Sequence, residues 1–301
     1  MRVISKLTII LVSATALPFM FLCGRPQTSG KMMVGVSIQP LAFITQAIGG
    51  DHVEVFTVVP PGANPHTFEL NPTLMQKLSR ADLLVVNGIG LEYWLENVRG
   101  VLNDKPIVVT SEGLEIRRDE EEAGHAHVHA EGNPHVWLDP VYAGRQAQRI
   151  AEALIRLDGR NRAHYEANLA SFQQELKALD DEIRSRIEKW PQRRFVCFHP
   201  SWVYFAARYG LEQAAVIEKR PGQEQSPQEI AELIRIIGEI RAKAVFAEAQ
   251  FPSAVAKVIA DETGARVITL DPLGSFPQIN SYPLLIRFNV SQMEAAMGSG
   301  R

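Results

Sequence analysis

From residue 160 to residue 189 the chain contains neither proline nor glycine, and Pro191 stands just beyond. Within this stretch Tyr165, Leu169, Phe172, Leu176, Leu179, Ile183 and Ile187 recur at steps of three and four, with charged residues between them. Such spacing places one apolar stripe along one face of a single helix. At 1.5 Å per residue a helix over 160–189 spans about 45 Å, longer than most globular helices. A chain that carries such a rod in its middle must arrange everything else on either side of it.

On both sides, short apolar runs alternate with helical patterns. Strands are expected at Met33–Ile38, Val53–Val59, Asp82–Asn87 and Pro106–Thr110 before the rod, and at Phe195–Phe198, Ala214–Ile217, Ala244–Glu248 and Ala265–Leu270 after it. Helices are expected over Leu41–Ile48, closed by Gly49-Gly50, and over Thr73–Leu78, opened by Asn71 as cap and Pro72 at the first position. After the rod, one helix runs through to Tyr209 and another opens at Ser226-Pro227 and continues to Ile240. Alternation of this kind implies an α/β fold with parallel sheets flanked by helices. The order of cap, proline, helix and strand recurs in both halves, and Glu248 falls where Asn87 falls. The expected organisation is two similar lobes, 31–159 and 190–301, joined by one long rigid helix over 160–189.

The first 22 residues read as an export signal: Arg2 and Lys6 precede the uncharged stretch Leu7–Leu22, which is short for a membrane span. Cys23 stands where a lipoprotein cysteine would lie, although Met20-Phe21-Leu22 is a poor lipobox. An exported protein is expected, periplasmic or lipid-anchored at the outer face of the cytoplasmic membrane. Cys197, in an apolar run, reads as a buried small hydrophobe. The formal net charge of −3 and the lack of a basic patch point away from nucleic acid.

The chain has eight histidines, and three of them adjoin proline: Asn64-Pro65-His66, Asn133-Pro134-His135 and His199-Pro200. Proline fixes its own φ and biases the residue before it towards extended backbone, so these corners hold their imidazoles in place. Imidazole is the commonest side-chain metal ligand. His66, His199 and Asp271 follow predicted strands at the carboxyl ends, where ligands of parallel sheets bind, and His135 precedes a turn into a helix. Two candidates come from each half, and three imidazoles with one carboxylate make a four-coordinate zinc shell. Glu248 also ends a strand. It is a further ligand, an acceptor for a histidine N–H, or a helix N-terminal acid; a second carboxylate ligand would favour manganese. The acidic stretch 119–133 carries His125, His127 and His129, an auxiliary metal loop or a solvated insertion. His52 and His164 read as surface histidines.

The motifs Pro61–Glu69, Asn133–Pro140, His199-Pro200-Ser201-Trp202, Phe246-Ala247-Glu248 and Leu270-Asp271-Pro272, in that order, resemble the solute-binding proteins of zinc and manganese ABC transporters, the TroA-like family. The resemblance covers nearly all of the chain after the leader, including Tyr282-Pro283 and Arg287-Phe288-Asn289. It implies metal bound between two lobes by His66, His135, His199 and Asp271 with Glu248 close by, Zn²⁺ rather than Mn²⁺ as cargo, a membrane permease as partner, and a monomer. The competing reading is a secreted zinc hydrolase, with three histidines, a metal-bound water and Glu248 as base. An aspartate that closes the shell would exclude it, and no His-Glu-x-x-His or serine elbow is present.

Overall fold

The computed structural model describes residues 30–102, 105–118, 132–218, 225–251 and 254–298. The leader, Cys23 and the loop histidines His125, His127 and His129 lie outside the described residues. Among the described residues, eight strands form two four-stranded sheets, each parallel throughout. The first contains β1 (Met32–Val36), β2 (Val53–Thr57), β3 (Leu83–Val86) and β4 (Ile107–Val109), in the order β2-β1-β3-β4. The second contains β5 (Arg194–Cys197), β6 (Glu212–Val216), β7 (Ala244–Glu248) and β8 (Arg266–Leu270), in the order β6-β5-β7-β8. Both sheets thus share one topology. Both also change crossover direction beside their first strand, between β1 and β3 and between β5 and β7, where open α/β sheets leave a crevice at the carboxyl ends.

The helices are α1 (Gln39–Gly49), α2 (Pro72–Arg80), α3 (Leu95–Leu102), α4 (Pro140–Leu157), α5 (Arg162–Ile187), α6 (Val203–Tyr209), α7 (Pro227–Ile240), α8 (Ala254–Thr263) and α9 (Tyr282–Met297). Their starts follow local chemistry. Asn71, Asp139 and Ser281 each accept from a first-turn amide ahead of a proline in that turn, and Ser226 forms a reciprocal capping box with Glu229. The strand positions agree with the sequence pattern to within about two residues. Helices α3, α8 and α9 and the full length of α4 were not anticipated. In α9 the buried stripe includes the polar Asn289, which pairs with the backbone of Asp271 through both its oxygen and its nitrogen.

The long rod is α5, slightly shorter than the pattern suggested because a 3-10 turn over Gly159–Asn161 precedes it. Tyr165, Phe172, Leu176, Leu179, Ile183 and Ile187 are buried along one face. Its first half packs on α1 and α4, with Asn168 donating to Ile48 O. Its second half packs on α6 and α9, with Tyr209 donating to Asp180 and Arg287 to Glu182. Burial and the neighbouring Asp180 push the Tyr209 phenol far above its ordinary range, so it stays a donor. The helix therefore touches both halves along its length, and one hydrophobic cluster runs from Val34 and Leu83 through Trp137 and Leu179 to Phe195 and Leu285.

Leu179→Ala removes a fully buried side chain from this shared seam and is expected to cost about 3 kcal/mol. Lys177→Ala, two residues away on the exposed face, is expected to leave the denaturation midpoint where it was. Urea unfolding of both variants distinguishes a helix that carries core from one that merely spans.

Candidate metal centre

His66 hangs on the loop after β2. Pro60, Pro61, Gly62 and Ala63 form a turn closed by Ala63 N–H to Pro60 O, with φ of +84° at Gly62, as a type II turn requires. Asn64 Oδ1 then accepts from His66 N–H at 2.9 Å. The second Asn-Pro-His repeats the device: Asn133 Oδ1 accepts from His135 N–H at 3.0 Å. In both copies the asparagine side chain closes a local ring across the proline, which directs the following histidine. His199 follows β5 directly, and the 3-10 turn Pro200–Trp202 begins behind it.

The three rings converge. His66 Nε2 and His135 Nε2 lie 3.3 Å apart, and the centroid of His199 is 5.1 Å from that of His66 and 4.6 Å from that of His135. One nitrogen from each ring falls within 4.8 Å of the others. A tetrahedral zinc with Zn–N bonds of about 2.0–2.1 Å has an N···N edge of about 3.3 Å, so the His66–His135 pair already has that spacing. His135 and His199 are buried, and His66 is half-buried. Both ring nitrogens of His199 are enclosed without a hydrogen-bond partner among the described residues, a costly state for imidazole unless a cation takes the lone pair. The cavity is walled by Pro65, Trp137, Gln250, Phe251, Pro272 and Leu273.

Glu248 ends β7, beside β5, and its Oε2 lies 3.5 Å from His199 Nδ1. Its other oxygen accepts from Ser201 Oγ at 2.6 Å, and Gln250 donates to Oε2. The carboxylate therefore stands on the Nδ1 side of the ring without a hydrogen bond to it, the side from which a carboxylate can orient a metal-binding histidine by closing a short distance.

Asp271 is not brought into the cluster of nitrogens. Its backbone is pinned by Asn289, and its carboxylate accepts from four successive amides, those of Leu273, Gly274, Ser275 and Phe276. It occupies a backbone nest. Gly274 turns through φ of +73°, and a Cβ there would meet Phe43 at 2.8 Å. Ser275 of the same loop accepts from Gly62 N–H at 3.2 Å, linking it to the loop that carries His66. His52 and His164 pack edge to face, centroids 4.5 Å apart, outside this group. His52 is half-buried rather than on the surface.

Sequence reading missed the residues that hold the rings rather than form them: Asn64 and Asn133, and Ser201 and Gln250 around Glu248. The asparagines were visible as repeated Asn-Pro pairs. Ser201 and Gln250 carried no signal of their own. Asn87, at the end of β3, donates to Pro134 O at 2.9 Å and so supports the second corner from below. Glu92 in turn accepts from the amides of Asn87 and Gly88, and burial pushes its carboxyl above the usual range.

A family profile described as the periplasmic zinc-uptake complex component A, ZnuA, matches residues 34–296. The high-affinity zinc uptake system protein ZnuA of Yersinia pestis is 30% identical over 84% of this chain and 87% of its own. The zinc-binding lipoprotein AdcA of Streptococcus pneumoniae is 28% identical over 91% of this chain, which spans 56% of that longer protein. Among solved structures, a zinc-bound ZnuA deletion mutant superposes with a TM-score of 0.81 at 34% identity, covering 90% of this chain and all of its own. A manganese-bound periplasmic metal binding protein from Candidatus Liberibacter asiaticus superposes at 0.73 with 26% identity, over 87% and 98% of the two chains.

Asp271→Ala would strip a buried nest of the carboxylate that satisfies four amides. We expect it to destabilise the metal-free protein by about 2–4 kcal/mol, measured by denaturant unfolding in the presence of a chelator. Unchanged metal-free stability would mean that the carboxylate does not anchor the loop.

Proposed function

Because the chain belongs to the ZnuA family of periplasmic zinc-uptake components, we propose that it is an exported carrier that binds Zn²⁺ with high affinity and hands it to the permease of an ABC transporter. The observation that carries the proposal is the convergence of His66, His135 and His199 from the two halves on one point. Three neutral imidazoles suit zinc, and the 3.3 Å edge suits a tetrahedral shell. In this reading the two lobes meet at the metal, and the long helix keeps them at a fixed separation.

The fourth position is less settled by geometry. Asp271 lies outside the compact group of three nitrogens and accepts from four amides, yet a carboxylate so held keeps lone pairs for a metal, so we assign the shell three imidazoles and a fourth position taken by Asp271 or by water. An open position is also what a zinc hydrolase needs. Glu248 is what speaks against hydrolysis. Its carboxylate is engaged by Ser201 and Gln250 and lies on the Nδ1 side of His199. A base behind a ligand ring is badly placed to take a proton from water on the far side of the metal. Binding and release, rather than catalysis, fit this arrangement.

Manganese is the second reading, favoured by the buried Glu248 carboxylate close to His199, since hard ligands suit Mn²⁺. Titration of metal-free protein with each ion by calorimetry decides between them. For the zinc reading, His199→Ala is expected to weaken Zn²⁺ binding by more than about 100-fold, with the circular dichroism spectrum preserved. Zinc affinity is also expected to fall steadily as the solution is acidified, because each ligand ring must give up its proton to bind metal. An affinity that stays level between neutral and mildly acidic pH would rule out histidine ligation.

A further inference from the structure

The two Asn-Pro-His corners look alike in sequence, but the second asparagine has additional bonds. Asn133 is 1% exposed. Besides capping the amide of His135, its Oδ1 lies 2.8 Å from His135 Nδ1. Its Nδ2 donates to Pro200 O at 2.7 Å, the carbonyl immediately after His199. These partners determine which way round the amide stands: a backbone carbonyl can only accept and a backbone N–H can only donate. The oxygen must therefore face His135 and the NH₂ group must face Pro200. An amide oxygen cannot donate, so the proton between it and the ring belongs to Nδ1. His135 Nε2 is left with its lone pair, and that is the nitrogen 3.3 Å from His66 Nε2.

The backbone of Asn133 is held as firmly as its side chain. Its N–H donates to Arg117 O at 2.8 Å, its carbonyl accepts from Tyr204 Oη at 2.7 Å, and that hydroxyl accepts from Arg117 N–H at 2.9 Å. Tyr204 belongs to α6, in the second half, and is buried. Ile89 joins the same apolar cluster with Val136 and Tyr204, in a left-handed conformation (φ +58°) that a β-branched residue adopts at a cost.

We propose that Asn133 is a positioning residue of the metal centre. It selects the Nδ1–H tautomer of His135 before any metal arrives, and its bond to Pro200 O serves only to fix which way round the amide stands. The proposal rests on the metal-carrier reading for its purpose, but the tautomer can be measured without metal. It also separates the two buried ligands: His135 is held by a neutral amide, whereas His199 has a carboxylate 3.5 Å from its Nδ1 with no hydrogen bond between them.

The test uses the full chain, stripped of metal by a chelator, at mildly alkaline pH. Nitrogen-15 spectra of the His135 ring in the wild-type protein are expected to show one tautomer, protonated at Nδ1. Asn133→Ala is expected to lose that bias and to weaken Zn²⁺ binding by about 10–100-fold. Asn133→Asp keeps an acceptor for Nδ1–H but cannot donate to Pro200 O. It is expected to restore the tautomer and most of the affinity, despite a lower unfolding midpoint. A wild-type ring protonated at Nε2, or a mixture of tautomers, overturns the proposal without any variant. So does an Asn133→Asp protein that binds zinc as weakly as Asn133→Ala, since the strut to Pro200 would then be what matters. If the wild-type protein shows the expected tautomer yet binds no zinc, the carrier reading fails while the assignment of Asn133 to the ring stands.

Discussion

Trp137 is wholly buried, and its two polar groups link both halves of the molecule. Its indole N–H donates to Pro272 O at 2.9 Å, and its carbonyl accepts from the hydroxyl of Tyr282 at 2.7 Å. It thereby joins the residue after next from His135 to the residue after Asp271 and to the start of α9. Its ring lies 5.1 Å from that of His135 and forms part of the cavity wall. Two sheets that share no hydrogen bonds can hold a common site only if something fixes the distance between their carboxyl ends. Here a buried aromatic with both polar groups satisfied does so, at the point nearest the metal ligands. The Asp139–Arg208 pair, with one nitrogen–oxygen contact of 2.6 Å, adds a second tie two residues further on.

Shared topology explains why the supports of the site come in corresponding places. The third strand of each sheet lies beside the first, so a side chain at its end reaches the crevice. In the first sheet that side chain is Asn87, which holds Pro134 O; in the second it is Glu248, which stands behind His199. The positions match and the chemistry differs. A neutral amide supports a backbone corner in one half, and an acid supports an imidazole in the other. The two halves share a frame and differ in the groups set into it.

Much of this could be read in the residues. Periodicity located the long helix because its stripe from Tyr165 to Ile187 is interrupted by nothing that breaks helices. The strands stood out as short apolar runs between turn residues and helical patterns. The histidines were conspicuous because proline stands beside each. Less legible was α9, whose buried face includes Asn289, a residue that looks like solvent until Asp271 is seen beside it. The surroundings of Asp271 were hidden for a related reason. A carboxylate at a strand end resembles a ligand, and only the folded loop reveals four amides arranged around it. Interactions between distant segments leave no trace in local spacing, and the placement of Glu248, Gln250 and Ser201 around His199 is of that kind.

The half-exposed position of His66 bears on speed rather than on affinity. A cation held by several rings departs by losing them one after another, and the first to let go is the one water can reach. The loop that carries His66 ends its tight turn at Gly62, whose amide touches the opposite half through the Ser275 hydroxyl. The loop is also seated on the core by Ala63 and Phe68, on either side of His66. The shell is therefore most open to water, or to a competing ligand, at the one ring whose loop also reaches across to the other half.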